Sequence, residues 1–199
     1  AGFGLYMITF NLGSQTVSAS TGSVVLATTP ILTALLARAV YREKLKALQY
    51  GAIGVSFLGV TVLTVLHGGL TVNGGLTYMF LSALLLSVYN LVQRRLTKTY
   101  TALQSTAISI FAGTLMLCVF LPGAVREAAA APPIQYLYVL ILGVLSSAAA
   151  YCAWSKALSL AQNTSSVSNY MFITPFLTTL LGLWLAGEPV EASTVAGGA

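Results

Sequence analysis

Seven long, almost uncharged apolar segments limit what this chain of 199 residues can fold into. Only 7% of its residues are charged, whereas an ordinary soluble domain carries about 25%. A membrane-spanning helix needs roughly 20 mostly apolar residues to cross about 30 Å of hydrocarbon. The segments are continuously apolar rather than alternating, which favours helices over barrel strands. The sequence therefore predicts an all-α polytopic membrane helix bundle, and it excludes a soluble enzyme or a disordered tail.

Glycine and proline breakers separate the predicted spans. The spans cover residues 2–17, 22–40, 48–66, 75–93, 104–121, 134–155 and 166–186, and residues 194–199 are expected to begin an eighth. The breakers are His67-Gly68-Gly69, Asn73-Gly74-Gly75, Pro122-Gly123 and Pro132-Pro133. Because no linker interrupts this series, residues 1–199 are expected to form a single transmembrane domain.

The positions of the basic residues predict how the spans are oriented. If the helices alternate in direction, eight of the nine Lys and Arg residues fall on one side, in the stretches 38–46, 94–98 and 156–162. The opposite side holds only Arg126. Cytoplasmic loops of membrane proteins carry an excess of Lys and Arg. The three basic loops are therefore expected to be cytoplasmic, in a multi-pass protein of the cell (inner) membrane.

Several kinds of chemistry lack the residues that they need. All four acidic residues are glutamates, the one histidine is His67, and both cysteines (Cys118 and Cys152) lie in apolar runs. The sequence has no Gly-x-Ser-x-Gly nucleophile, no paired aspartates and no His-Glu-x-x-His motif. We therefore expect no enzyme activity, no metal, no cofactor and no nucleic-acid partner.

The chain contains an internal repeat. After a shift of 145 residues, Ser20–Glu43 aligns with Ser165–Glu188. The identical positions include Thr29-Pro30 with Thr174-Pro175 and Glu43 with Glu188. The copies lie in the second and seventh predicted spans, five spans apart, and since five is odd, the copies should face opposite ways across the membrane. Inverted repeats of this kind are common in secondary transporters, where the two halves rock around one central site.

The same residues carry a resemblance to a known family. The run Thr29-Pro30…Ala37…Arg42-Glu43-Lys44-Leu45…Gly51…Gly54…Gly59-Val60 and its later copy Thr174-Pro175…Gly187-Glu188-Pro189 resemble the repeat signature of the drug/metabolite transporter superfamily, EamA-type family. Gln93-Arg94-Arg95-Leu96 is similar to the end of that family's sixth span. The resemblance implies inverted five-helix repeats, with residues 1–66 ending the first repeat and residues 75–199 forming a truncated second. It also implies export of small organic metabolites, such as amino acids or drugs, by alternating access.

Polar and aromatic side chains within the spans are the candidates for substrate binding or gating. They are Tyr6, Thr29, Pro30, Tyr89, Asn90, Tyr151, Trp154, Asn169, Thr174 and Pro175. A proline inside a helix produces a kink, and polar groups within a membrane should face the bundle interior. The alternative for the polar groups is hydrogen bonding between helices. For Gln93 and Tyr170, a position in the interfacial aromatic belt is favoured.

Glu43 and Glu188 end equivalent helices, where a structural role is expected. Glu43 is expected to form a local ion pair with Arg42, Lys44 or Lys46. No carboxylate lies in the middle of a span, which favours a facilitator or exchanger over a carboxylate-driven antiporter. The expected partners are a small-molecule substrate and the lipid bilayer, and homodimerisation is left open.

Two other functions are the alternatives. A seven-helix receptor or light sensor fits the number of spans, but the sequence lacks an Asp-Arg-Tyr or Asn-Pro-x-x-Tyr pattern and a lysine in the last span. A structural membrane protein without transport activity is the second alternative, against which the inverted repeat argues.

Overall fold

The computed structural model describes residues 2–17, 19–43, 50–51, 54–55, 58 and 74–186. The α-helices with defined bounds are α1 (Gly2–Ser14), α2 (Ala19–Leu26), α3 (Thr29–Tyr41), α4 (Gly74–Leu96), α5 (Ala102–Leu117), α6 (Leu121–Ala130), α7 (Pro133–Ile141), α8 (Ala150–Leu160), α9 (Thr164–Ser168) and α10 (Thr174–Leu181). Cys118–Phe120 and Asn169–Ile173 are 3₁₀ turns, and Leu142–Ala149 and Gly182–Ala186 are π-helical. The described residues contain no strand, so the prediction of an all-α fold is confirmed.

Among the described residues, four helical stretches are long and apolar enough to cross a membrane. They are Thr21–Tyr41, Gly74–Leu96, Ala102–Ala130 and Pro133–Leu160, and they correspond to the predicted spans 22–40, 75–93, 104–121 and 134–155. In contrast, α1 has 13 residues, a length of about 20 Å, which is shorter than the hydrocarbon layer. The predicted span 48–66 lies mostly outside the described residues. Glu188 and the expected eighth span at 194–199 lie entirely outside them.

The predicted connector at Pro122-Gly123 is wrong. The helical stretch that begins at Ala102 continues through the 3₁₀ turn to Ala130. Pro122 lies in the first turn of α6, where a backbone N–H is not needed for helical hydrogen bonds. The chain turns instead at Ala131 and Pro132, immediately before α7.

A capping box fixes the tight corner between α4 and α5. The Thr101 hydroxyl accepts a hydrogen bond from the Gln104 N–H at 3.3 Å, and the Gln104 side chain accepts one from the Thr101 N–H at 3.1 Å. These two bonds satisfy amide groups that the first turn of a helix leaves free. They therefore set the point at which α5 begins.

Each Thr-Pro pair follows a short interruption of regular α-helix, which is the kind of distortion that the sequence predicts at a proline within a span. α2 ends at Leu26, a turn follows, and α3 begins at Thr29. Pro30 is in the first turn of α3. In the later copy, the turn Asn169–Ile173 separates α9 from α10, which begins at Thr174. The two copies therefore have the same plan of helix, turn and helix.

The two broken segments cross each other. α2 packs against α10, and α9 packs against α3, so the first half of each segment contacts the second half of the other. Such reciprocal packing requires the segments to run antiparallel. α4 is the central helix, because α1, α2 and α3 all pack along it.

Glycine allows α1 to approach α5 closely. A Cβ atom on Gly113 would lie 2.6 Å from Cδ1 of Phe3, and one on Gly4 would lie 3.3 Å from Cα of Gly113. Small residues at such crossings let helix backbones meet. This contact fixes Phe3, and the aromatic residues around it, beside α4.

Candidate functional site

An aromatic cluster joins α1, α4 and α8. It contains Phe3, Tyr6, Tyr89 and Tyr151. The Phe3 and Tyr151 rings are 5.0 Å apart at 87°, and the Tyr89 and Tyr151 rings are 5.9 Å apart at 85°. Edge-to-face contacts of this kind stabilise aromatic pairs beyond their buried area. Three of the predicted site residues therefore converge from three different helices.

Asn90 lies one position beyond Tyr89 and faces α8. The Trp154 indole N–H donates a hydrogen bond to Asn90 Oδ1 at 2.9 Å. The Asn90 side chain is fully buried, and its amide nitrogen has no hydrogen-bond partner among the described residues. A buried polar group left unpaired costs about 1–3 kcal/mol. Asn90 therefore holds a hydrogen-bond donor that the described fold itself does not use.

Other unpaired polar atoms lie at the crossing of the two broken segments. The hydroxyls of Thr29, Thr33 and Ser168 are fully buried without a partner among the described residues. α4 borders this crossing, since the Ser87 hydroxyl donates to the Thr29 carbonyl at 3.1 Å. We refer to Thr29, Thr33, Asn90 and Ser168 as the junction site. Unpaired polar atoms are rare in protein interiors, and within a membrane they are candidates for a functional site.

A second polar cluster lies one turn further along α4. Gln93 Nε2 donates to Ser155 Oγ at 2.6 Å, and Gln93 Oε1 accepts from Ser109 Oγ at 2.9 Å. Thr106 Oγ1 lies 2.7 Å from Ser155 Oγ. The preference for Gln93 as an interfacial residue is wrong, because its side chain is fully buried and bonded to both neighbouring helices.

The spacing of polar residues along α4 is the sequence feature that could have identified this cluster. Gln93 is four residues after Tyr89, so both side chains lie on the same face of the helix. Ser109 belongs to a run of small residues, Ser105, Ser109 and Gly113, that can bring α5 close to that face. Tyr170, the other residue favoured for the interface, is 71% exposed.

Glu43 pairs with Arg94, not with a described residue of its own loop. Arg94 Nη1 forms an ion pair with Glu43 Oε1, and the same nitrogen donates to Thr164 Oγ1 at 2.6 Å. Thr164 Oγ1 in turn donates to Glu43 at 3.2 Å. The side chains of Arg94 and Glu43 are only 13% and 9% exposed. This network ties the ends of α3 and α4 to the start of α9.

Local backbone geometry explains why the predicted local ion pair is wrong for Arg42. Arg42 adopts a left-handed conformation with φ of 54° and ends α3. A left-handed residue reverses the chain after a helix, so Glu43 follows a turn and comes within reach of α4 and α9. Lys44 and Lys46, the other expected partners, lie outside the described residues.

The structure does not gather all the predicted site residues. Asn169 and Thr174 are exposed, and Pro175 is described only by its place in the backbone of α10. Pro30 is buried beside Thr29. The described residues contain no cluster of three or more His, Cys, Asp or Glu side chains that could hold a metal ion.

Comparison with known proteins decides the family. The model of the EamA-like transporter family matches residues 1–65 and 73–199. The chain belongs to this family. The resemblance carried by the two Thr-Pro repeats is thus confirmed, and the chain is a multi-pass membrane protein of a family of transporters, not of enzymes.

Individual relatives are transporters by name. "Uncharacterized transporter YdfC" of Bacillus subtilis (strain 168) is 30% identical over 98% of this chain and 64% of its own length. "Probable terminal-alkyne amino-acid exporter" of Streptantibioticus cattleyicolor is 26% identical over 98% of this chain and 66% of its own. The chain therefore spans just under two thirds of the length of these relatives.

A solved crystal structure shares the fold. It aligns with 98% of this chain and 68% of its own chain at a TM-score of 0.63 and 17% sequence identity. At this identity the likeness concerns the fold alone.

Proposed function

We propose that this chain forms the larger part of a transporter that exports small amphipathic metabolites, such as amino acids, through the junction site. Family membership supports the transport activity. The name of the Streptantibioticus relative supports amino-acid-like molecules as the substrate class. The junction site combines unpaired polar atoms at the crossing of the broken segments with Asn90, the neighbour of Tyr89 in the aromatic cluster, and its chemistry suits such a molecule.

Different side chains at the site would bind different parts of the substrate. The aromatic cluster offers an apolar wall against which a hydrocarbon side chain can pack. The Asn90 amide and the hydroxyls of Thr29 and Thr33 offer hydrogen bonds to a carboxylate or carbonyl group. Hydrogen bonds to a charged group are stronger than those between neutral groups. A substrate carboxylate would therefore satisfy donors that the described fold leaves unpaired.

The antiparallel crossing supports alternating access between inverted repeats. Discontinuous helices at a repeat interface are a recurring arrangement in secondary transporters. A helix break can change its angle without disturbing the hydrogen bonds of either half. The described carboxylates are Glu43, which is paired with Arg94, and Glu127, which is exposed on α6. We therefore favour facilitated export or exchange over carboxylate-driven antiport.

The unpaired amide of Asn90 carries the proposal, and Asn90→Ala tests it. The full-length protein is reconstituted in proteoliposomes, and uptake of a panel of amino acids is measured. Loss of a hydrogen bond to a charged group costs about 1.5–3 kcal/mol, so we expect N90A to lower transport efficiency by about tenfold or more, mainly by raising KM.

Ser87→Ala is the matched control. Ser87 lies one turn earlier on α4, is equally buried, and already donates to the Ala83 and Thr29 carbonyls. We expect S87A to transport at nearly the wild-type rate. Equal losses in both variants would indicate a packing effect along α4 and would contradict the proposal. Wild-type transport by N90A, or no transport of any amino acid by the unaltered protein, would contradict it as well.

A further inference from the structure

Two adjoining cavities lie at the basic ends of α3 and α4. The first has a volume of about 480 Å³, and its polar lining includes Glu43, Arg94, Arg95 and Lys98. The second has a volume of about 430 Å³ and is a groove between α3 and α4, lined mainly by Leu36, Val40, Val88, Val92 and Leu96. Val40, Tyr41 and Arg95 line both cavities. The two cavities therefore adjoin each other, one charged and one apolar.

The charged cavity has an excess of positive charge. It holds three cations and one carboxylate, and Arg94 already pairs with that carboxylate. The side chains of Arg95 and Lys98 are exposed and form no ion pair with any described residue. Arg95 is in the last turn of α4, Lys98 is in the hydrogen-bonded turn that follows, and both line the same cavity, so both can face one bound group. This end of the site is complementary to an anion.

The apolar groove has the length of one lipid leaflet. Val88, Val92 and Leu96 follow each other at four-residue spacing along α4, which gives a stripe about 12 Å long. Half of the hydrocarbon layer is about 15 Å thick. Val40 and Val92, which face each other across the groove, are 60% and 52% exposed. The groove therefore offers an apolar surface that begins at the cations and extends towards the bilayer centre.

We infer that these cavities bind one anionic phospholipid, with its phosphate on Arg95 and Lys98 and an acyl chain in the groove. The charged end discriminates against a zwitterionic lipid, and the groove discriminates against a soluble phosphate. Basic pockets between transmembrane helices are known to bind acidic headgroups on the cytoplasmic side. The site also lies in the part of the chain predicted to be cytoplasmic, where anionic lipids attract basic residues.

The test compares lipid association in the full-length protein. Spin-labelled phosphatidylglycerol and phosphatidylcholine are titrated against the protein in bilayers, and the motionally restricted fraction gives their relative association constants. We expect a preference for phosphatidylglycerol that falls about fivefold for each cation removed in Arg95→Gln and Lys98→Gln. Arg126→Gln, which removes an exposed cation predicted to lie at the opposite face, should retain the preference. An unchanged preference in R95Q and K98Q, or an equal fall in R126Q, would overturn the inference.

A second pair of variants tests the groove. Val92→Phe fills it and should weaken phosphatidylglycerol association, whereas Val119→Phe, at a site 80% exposed on the 3₁₀ turn after α5, should not. Glycerol phosphate in solution should compete poorly because it lacks an acyl chain. Strong competition together with normal association in V92F would show a site for soluble phosphate and overturn the inference. Absence of any preference in the unaltered protein, as expected if another span of the full-length chain covers the groove, would overturn it too.

Discussion

Glu43 holds three helix ends together through a single carboxylate. Its oxygens accept from the Arg94 guanidinium and from the hydroxyls of Thr164 and Ser165. The Thr164 N–H also points at this carboxylate, at 3.5 Å. Since α9 starts at Thr164, the negative charge lies at the positive end of that short helix. One residue thereby fixes how the first broken segment meets the second.

We expect Glu43→Gln and Arg94→Gln each to destabilise the full-length protein by about 3 kcal/mol, because each leaves a buried charge without its partner. The double variant should lose less than the sum of the two, since it leaves neither charge behind. Unfolding of the purified protein in detergent measures these differences. Arg95→Gln, next to Arg94 but exposed, should change stability by less than about 0.5 kcal/mol. Additive losses in the double variant would rule out the buried pair.

At the scale of single residues, the sequence predicts which side chains face inward better than it predicts which side chains they contact. The candidates Tyr6, Tyr89 and Tyr151 do converge, because helical periodicity places each of them on an inward face. The partner of Glu43 could not be predicted, since Arg94 lies 51 residues away and reaches it only through the packing of α3 on α4. The sequence also misplaces Gln93, because its position near the end of α4 predicts an interfacial site, whereas hydroxyls of the neighbouring helices bury and bind its side chain.

At the scale of helices, each Thr-Pro pair marks the point where a new helix begins after a turn. The Pro30 nitrogen cannot donate to a carbonyl of the preceding turn, and the Thr28 hydroxyl donates back to the Val25 carbonyl at 2.7 Å. α2 and α3 are therefore two short helices joined by a turn. The sequence predicts a distortion at this place, and the structure shows it as a two-residue turn within the helical stretch Thr21–Tyr41. Pro122 is the converse case, because the sequence predicts a connector there and the structure places it in the first turn of α6.

Replacing Pro30 with Ala tests whether this break serves transport. Alanine supplies the missing N–H and favours helix, so the turn at Ala27 and Thr28 can become continuous helix. We expect P30A to reach the membrane in normal amounts and to transport several-fold more slowly. Pro122→Ala is the control, because Pro122 occupies the same position in the first turn of α6 but is exposed and far from the junction site. Wild-type transport rates in P30A would contradict a role for the break in gating.

At the scale of the whole molecule, much apolar surface is left uncovered. In the apolar 18-residue part of the stretch Ala102–Ala130, 6% is buried, and in the corresponding part of Pro133–Leu160, 0% is buried. The chain covers 64% of the length of its Bacillus relative, so these faces are available both to lipid and to further parts of a longer protein. The spans themselves could be predicted because length and apolar content define them. The helix contacts could not, because such uniformly apolar faces do not specify a neighbour.

The orientation of the bundle is a prediction from charge alone and can be tested by labelling. Ala102–Ala130 is a helical stretch of 29 residues, about 43 Å long, which is enough to separate its two ends by a full bilayer. We expect Arg126→Cys to react with a membrane-impermeant maleimide on intact cells, and Thr99→Cys to react only after permeabilisation, because the basic residues near Thr99 favour the cytoplasm. Both positions are exposed. The background is the full-length protein with Cys118, Cys152 and any other cysteine replaced by serine. Labelling of Thr99→Cys but not of Arg126→Cys from outside would show that the bundle has the opposite orientation. The basic cavity of Arg95 and Lys98 would then lie on the outer face.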